Sequence, residues 1–232
     1  MRIKTLFLDA GGVLVFPNWT RVCDALARHG VHVTPEALAD AEPRAKRRID
    51  LGDTVQATTD SQRGWLYFNL ILEEAGIAPT AATHAGLDEL REYHATENLW
   101  ELVPSEVAPT LVALRALRLT LVVVSNANGR LRHLFGRLGL ADRFDVLFDS
   151  FEEGVEKPDP RLFQIALERS GGAPETTMHV GDLYHVDVVG ARAAGLHAVL
   201  LDVAGLYDGY DCPRIRTFSE LPTLLTEGAS AT

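Results

Sequence analysis

Asp9 follows an apolar run (Ile3, Leu6, Phe7, Leu8) and precedes Gly11 and Gly12. A second apolar run, LTLVVV, ends on Ser125 and Asn126, and a third, TMHV, ends on Gly181 and Asp182. Asp187 comes five residues after Asp182, and Lys157 sits in VEKPDP, where Pro158 and Pro160 restrict the backbone ahead of a helix. Taken singly, each has an ordinary explanation: an Asp or Ser after a strand is most often a turn or a helix cap. Taken together they are two or three carboxylates, a hydroxyl and an ammonium. Oxygen donors of this kind suit Mg²⁺, which takes few protein ligands and keeps waters. A cation beside a lysine and a hydroxyl is a phosphate-binding arrangement. An aspartate there can act as a nucleophile through an aspartyl-phosphate, with the cation and lysine offsetting charge on the transferring oxygens.

Those residues can meet only if the runs carrying them lie side by side. Five short runs rich in β-branched residues span 3–10, 119–129, 144–150, 177–182 and 197–202. Their continuous apolarity predicts strands buried on both faces, as in a parallel sheet. Helical patterns over 105–117, 130–140, 160–171 and 186–195 alternate with them. The alternation predicts an α/β, doubly wound (Rossmann-like) parallel sheet, in which ligands bind beyond the carboxyl ends of the strands. Residues 17–97 break the rhythm with helical patterns only, at 19–30, 35–50, 61–76 and 83–95. They read as an all-helical insert, leaving 1–16 and 98–232 as the core. Trp19, Trp65, Tyr67 and Phe68 either line a substrate surface or, at helical spacing, pack the insert's helices together. The tail TEGASAT (226–232) is expected to fray.

Composition removes several classes. The 232 residues are 47% hydrophobic, enough for a sizeable core, and the formal net charge is −10. A broad nucleic-acid footprint needs clustered Lys and Arg, so no nucleic-acid partner is expected. The one basic run, PRAKRR (43–48), reads as a solvated helix face or a small anion-contacting patch. Cys23 and Cys212 are far apart and lack metal-ligand spacing, which fits a reducing, cytoplasmic setting. Asp9 interrupts the N-terminal apolar run, which argues against a signal peptide, and no apolar run approaches the roughly 20 residues of a membrane span. Monomer and homodimer both remain open.

The ordered segments DAGGVL, VVVSNANG, EKPDPRLF and HVGDLYHVD resemble the haloacid dehalogenase-like (HAD) hydrolase superfamily, and the insert after the first strand is similar to that family's helical C1 cap (subfamily I). The resemblance implies that Asp9 is the nucleophile. Ser125 and the backbone amide of Asn126 hold the phosphoryl group, and Lys157 neutralises it together with the nucleophile. It further implies that Asp9, Asp182 and the backbone carbonyl of Gly11 bind Mg²⁺, that Asp187 supports the metal site, and that the cap selects a small phosphorylated substrate.

Family phosphatases usually carry a second aspartate two positions after the nucleophile, as the general acid and base. Here that position is Gly11. General acid–base catalysis is worth roughly 10² to 10⁴ in rate, or about 3 to 5 kcal/mol of barrier. Three readings follow. The chain is a phosphohydrolase that uses good leaving groups or borrows a proton donor from the cap, where His29, His32, His84 and His94 stand. It is a weak or non-catalytic relative that binds a phosphorylated ligand or a partner. Or it is a phosphonatase-type C–P hydrolase with Lys46, the one lysine of the insert, as Schiff-base former, its pKa depressed by Arg44, Arg47 and Arg48. The metal-independent 2-haloacid dehalogenases are disfavoured because they lack the metal-binding aspartate that GDLYHVD retains.

Overall fold

Leu6, Phe7 and Leu8 are all fully buried, although successive residues of a strand point to opposite faces. The first strand is therefore covered on both sides. The computed structural model describes residues 2–230, without the side chains of residue 61 and residues 228–230. Strand β1 is Thr5–Leu8. Five helices follow: α1 (Trp19–Arg28), α2 (Pro35–Ile49), α3 (Gly52–Ala57), α4 (Asp60–Glu74) and α5 (Ala81–Thr96). The chain then runs through α6 (Val107–Ala116), β2 (Thr120–Ser125), α7 (Leu131–Arg137), β3 (Val146–Asp149), α8 (Ser150–Glu153), α9 (Pro160–Ser170) and β4 (Thr177–Gly181). A π-helical turn (Tyr184–Val188) leads into α10 (Val189–Ala193), β5 (His197–Leu201), β6 (Arg214–Ile215) and α11 (Leu221–Ser230).

The six strands form one sheet in the order β3-β2-β1-β4-β5-β6, every pairing parallel. The doubly wound α/β expectation is thus met, with one addition. The two-residue edge strand β6 has too little apolar sequence to stand out. Phe7, Val122, Val124, Phe148 and Leu200 pack against Leu162, Phe163, Ala166, Val188 and Ala191 of the helical segments to form a core on one face of the sheet. At roughly 1.5–3 kcal/mol for each fully buried large apolar side chain, this burial is the main force holding the sheet and its helices together.

The chain divides into two units, one running up to Val15 and from Val103 on, the other Phe16–Leu102. The second unit is helical, and it takes in residue 16 and residues 98–102, which the sequence reading leaves in the core. Phe16 and Leu102 exchange backbone hydrogen bonds of 2.8 and 3.0 Å, and Asn18 donates its backbone N–H to Leu99. Glu101 accepts hydrogen bonds from Asn18, Arg21 and Tyr93. Trp19, Val22, Leu26, Leu38, Tyr67, Phe68, Ile71 and Leu99 form this unit's core, with Trp65 and Trp100 against it. Trp19, Trp65, Tyr67 and Phe68 therefore pack helices together, the second of their two expected roles. Helix α3 was not expected: six residues that include a Gly and β-branched Thr and Val carry weak helical signal. At the other end, α11 takes in residues 226–230 of the tail expected to fray, and residues 231–232 lie outside the described residues.

Among the described residues, no helix is long and apolar enough to cross a membrane.

Candidate active site

In a parallel sheet every strand delivers its carboxyl end to the same rim. Leu8 is level with Val123 of β2 and Val180 of β4, so Asp9, Ser125 and Asp182 all leave the sheet along one edge. The Asp9 backbone N–H still bonds the Val180 carbonyl at 2.9 Å, which anchors the residue after its strand has ended. Beyond it the chain turns sharply: Leu14 and Val15 both donate to the Ala10 carbonyl, and Gly12 donates to Val15. Gly12 takes φ +79°, in the left-handed region that favours glycine. Gly11 lies inside this loop, bridged to Val15.

Lys157 comes to the rim from the segment ahead of α9. Asp159 caps that helix and Pro160 occupies its first turn. Asn126 fixes the lysine's backbone from both sides, its Oδ1 accepting the Lys157 N–H at 2.7 Å and its Nδ2 donating to the Lys157 carbonyl at 3.0 Å. These bonds engage the Asn126 side chain and leave aside its backbone amide, the group expected to hold the phosphoryl group. Ser150 Oγ accepts the Ala127 N–H and Asp149 Oδ2 accepts the Leu131 N–H, so the loop after Ser125 is tied down along its length. Ser125 is buried at the end of β2, and its Oγ makes one long contact, 3.4 Å, with the Asn126 carbonyl.

The Lys157 side chain is 1% exposed. Its ammonium lies 2.9 Å from Asp9 Oδ1 and 2.7 Å from Asp187 Oδ1. Asp9 Oδ1 also accepts the Ala10 N–H at 2.8 Å. Asp187 is fixed by three donors: Lys157, His179 Nε2 at 3.0 Å to the same Oδ1, and the Leu183 N–H at 3.0 Å to Oδ2. Asp9, Asp182 and Asp187 each present a carboxylate oxygen, and these three oxygens lie within 4.8 Å of one another.

The electrostatics follow from counting charges: three carboxylates face one ammonium. Asp9 is pushed up to about 7, first by burial and then by Asp187 and Asp182, with Lys157 acting against both. Burial also opposes charge on Asp187 and on Lys157, yet their mutual attraction prevails. The Asp187 carboxyl is held well below the usual range and the Lys157 ammonium well above its own. The His179 imidazole is held below its ordinary value, chiefly by burial.

The other candidates lie elsewhere. Lys46, in the helical unit, pairs at 2.9 Å with the buried Glu42, which Tyr67 also donates to. Like-charge repulsion from the neighbouring arginines therefore does not act on it unopposed. Arg44 and Arg48 pair with Glu73 and Glu74 at the end of α4, so the basic run is an ion-paired helix face. His32 and His84 are exposed, and His29 approaches Glu89. His94 is half-buried between Trp65 and Trp100, and its Nδ1 accepts the Leu99 N–H. Sequence reasoning missed His179: a single histidine inside an apolar strand carries no spacing signal.

The haloacid dehalogenase-like hydrolase profile matches residues 3–195, and the chain belongs to this hydrolase family. The haloacid dehalogenase-like hydrolase domain-containing protein 3 of Homo sapiens is 32% identical over 179 residues, covering 75% of this chain and 70% of that protein. The phosphoserine phosphatase of Thermus thermophilus is 40% identical over 136 residues, or 58% of this chain and 53% of that enzyme. The chain thus spans about half the length of some of the curated relatives it matches. Among solved structures, the 2-haloacid dehalogenase of Pseudomonas syringae pv. Tomato DC3000 superposes with a TM-score of 0.60 at 28% identity, covering 97% of this chain and 99% of that one.

Proposed function

We propose that the chain is a Mg²⁺-dependent phosphohydrolase that acts on a small phosphorylated metabolite through an aspartyl-phosphate on Asp9. The observation that carries this reading is the buried Lys157 ammonium, bonded at once to Asp9 and Asp187, with Asp182 alongside.

The donor set fits a divalent cation. Three carboxylates and one ammonium leave two negative charges in a mostly buried site, and the donors are all oxygens. Hard oxygen donors gathered this closely are the kind that suit Mg²⁺. Asp9, Asp182 and the Gly11 carbonyl would hold the ion, which supplies charge neutralisation at the phosphoryl oxygens. Asp187 is the supporting residue, since its oxygens already serve Lys157, His179 and Leu183.

In the reaction, an Asp9 carboxylate oxygen attacks phosphorus in line and the P–O bond to the substrate alcohol breaks. Water then attacks phosphorus, the acyl-phosphate bond opens, and inorganic phosphate leaves with the carboxylate restored. Ser125 and the Asn126 amide orient the phosphoryl group, and Lys157 offsets its charge. Gly11 offers no proton, so the departing alkoxide takes one from water and substrates with good leaving groups are favoured. The same hydrolase fold hosts 2-haloacid dehalogenases, and Asp182 is the residue that favours phosphate chemistry here. The two half-buried free cysteines support a reducing, cytoplasmic setting.

Gly11 also favours a second reading, a relative that binds phosphorylated ligands with little turnover. A screen of phosphate esters and phosphonates with and without Mg²⁺, run beside Asp9→Asn, separates the two. The first reading expects Mg²⁺-dependent release of phosphate by the wild type, an acyl-phosphate trappable with hydroxylamine, and no turnover by Asp9→Asn. Binding of phosphate esters without turnover supports the second, and turnover by Asp9→Asn overturns the role of Asp9.

A further inference from the structure

His179 is fully buried in the middle of β4, where a polar side chain costs free energy unless it is bonded. Leu or Val would fill such a position at no polar cost. Its ring packs edge-on against Phe163, with centroids 4.9 Å apart, and its Nε2 lies 3.0 Å from Asp187 Oδ1. That oxygen is also the one that holds the Lys157 ammonium. Asp187 stays ionised and accepts only, so the imidazole nitrogen facing it must be the donor. Asp187 therefore takes two donors on Oδ1 and the Leu183 N–H on Oδ2, and its carboxylate plane is set from three directions.

Resting on the phosphohydrolase reading, we propose that His179 is a positioning residue, whose Nε2–H holds Asp187 so that Asp187 in turn holds the Lys157 ammonium against Asp9. Without that donor, Asp187 would carry more uncompensated charge and draw Lys157 toward itself, away from the nucleophile. Residues that orient a first ring of functional groups in this way typically cost 10- to 100-fold in activity when lost.

The test uses His179→Leu, which keeps an apolar body against Phe163 and removes the donor, and His179→Gln, whose amide restores one. Expected are a 10- to 100-fold fall in kcat for His179→Leu with KM changed less than about threefold, and recovery of most of kcat in His179→Gln. A structural role alone would lower the melting temperature and leave the kcat of the folded enzyme unchanged. The chain has three lysines, Lys4, Lys46 and Lys157, so ¹⁵N-lysine NMR resolves the Lys157 ammonium. Its signal is expected to be slowly exchanging in the wild type and to shift in His179→Leu.

Should neither variant fold, ¹⁵N-histidine NMR of the wild-type protein decides: a protonated, slowly exchanging Nε2 supports the inference, and an Nε2 without a proton overturns it. Wild-type protein that hydrolyses no phosphate ester refutes the phosphohydrolase reading. An active wild type whose kcat and Lys157 signal survive His179→Leu refutes the positioning role alone.

Discussion

A Cβ on Gly181 would lie 2.1 Å from the Asp187 carboxyl carbon. Strand β4 ends without a side chain, and the π-helical turn that follows presses Asp187 into the vacated space. The Asp187 N–H bonds the Leu183 carbonyl at 2.8 Å, so the turn has little room to yield. Gly181→Ala is therefore expected to push the Asp187 carboxylate off Lys157. Crowding of this kind costs about 1–3 kcal/mol. For a chain of this length that is a fall of several degrees in melting temperature, with at least a tenfold loss of phosphatase turnover. Thermal melts and steady-state kinetics on the purified variant check it, and full activity would show that Asp187 can move without consequence.

Lys157 bridges Asp9 and Asp187 and is buried with them. Removing one partner of a buried ion pair typically costs about 3–5 kcal/mol, because the other charge stays desolvated. Lys157→Met should lower the melting temperature by roughly 10 °C and abolish turnover. Mg²⁺ should recover part of that stability, since a cation then offsets the unpaired buried carboxylates. Melting curves with Mg²⁺ and with chelator measure both effects, and an unchanged melting temperature would contradict the pairing.

How far the sequence anticipates this site can be traced residue by residue. Asp9, Ser125 and Asp182 are legible because each ends an apolar, β-branched run, and parallel strands share a carboxyl rim. Lys157 is legible through the two prolines that follow it and its order among the motifs, but its simultaneous contact with Asp9 and Asp187 is a tertiary fact. His179 leaves no trace, being a lone polar residue in a strand, and Gly181 is legible only as a strand end, since its need for no side chain arises from a carboxylate six positions on. Residues 98–102 join the helical unit through backbone hydrogen bonds with residues 16–18, which no composition shift reveals.

If Asp9 is a ligand to Mg²⁺, as proposed, it should carry the pH dependence of metal binding. Its carboxyl is raised from 3.8 to about 7, so in chelated protein it keeps a proton that the unfolded chain gives up near pH 4. Its contribution to stability is thus fully present below about pH 4 and declines as the pH rises toward 7. Mg²⁺ binding must expel that proton. The apparent affinity for Mg²⁺ should therefore weaken about tenfold for each pH unit below 7 and level off above it. Calorimetric titrations across pH 5.8 to 7.8 test this, and a dissociation constant independent of pH would place the ion away from Asp9.

Under the proposed function, Gly11 should decide which substrates turn over. With no acid at this position, the leaving group departs as an alkoxide, and rates should depend steeply on its pKa. Hydrolysis of an aryl phosphate is then expected to exceed that of an alkyl phosphate by several orders of magnitude. Gly11→Asp places a carboxyl two residues after the nucleophile, in the loop closed by the bonds from Leu14 and Val15 to Ala10. It should raise alkyl phosphate turnover by about 10²-fold or more while changing aryl phosphate turnover little, which flattens the leaving-group dependence. Comparing that dependence in the two proteins separates a missing acid from one supplied elsewhere. A wild type already insensitive to the leaving group, and unaffected by the substitution, would mean that another residue donates the proton.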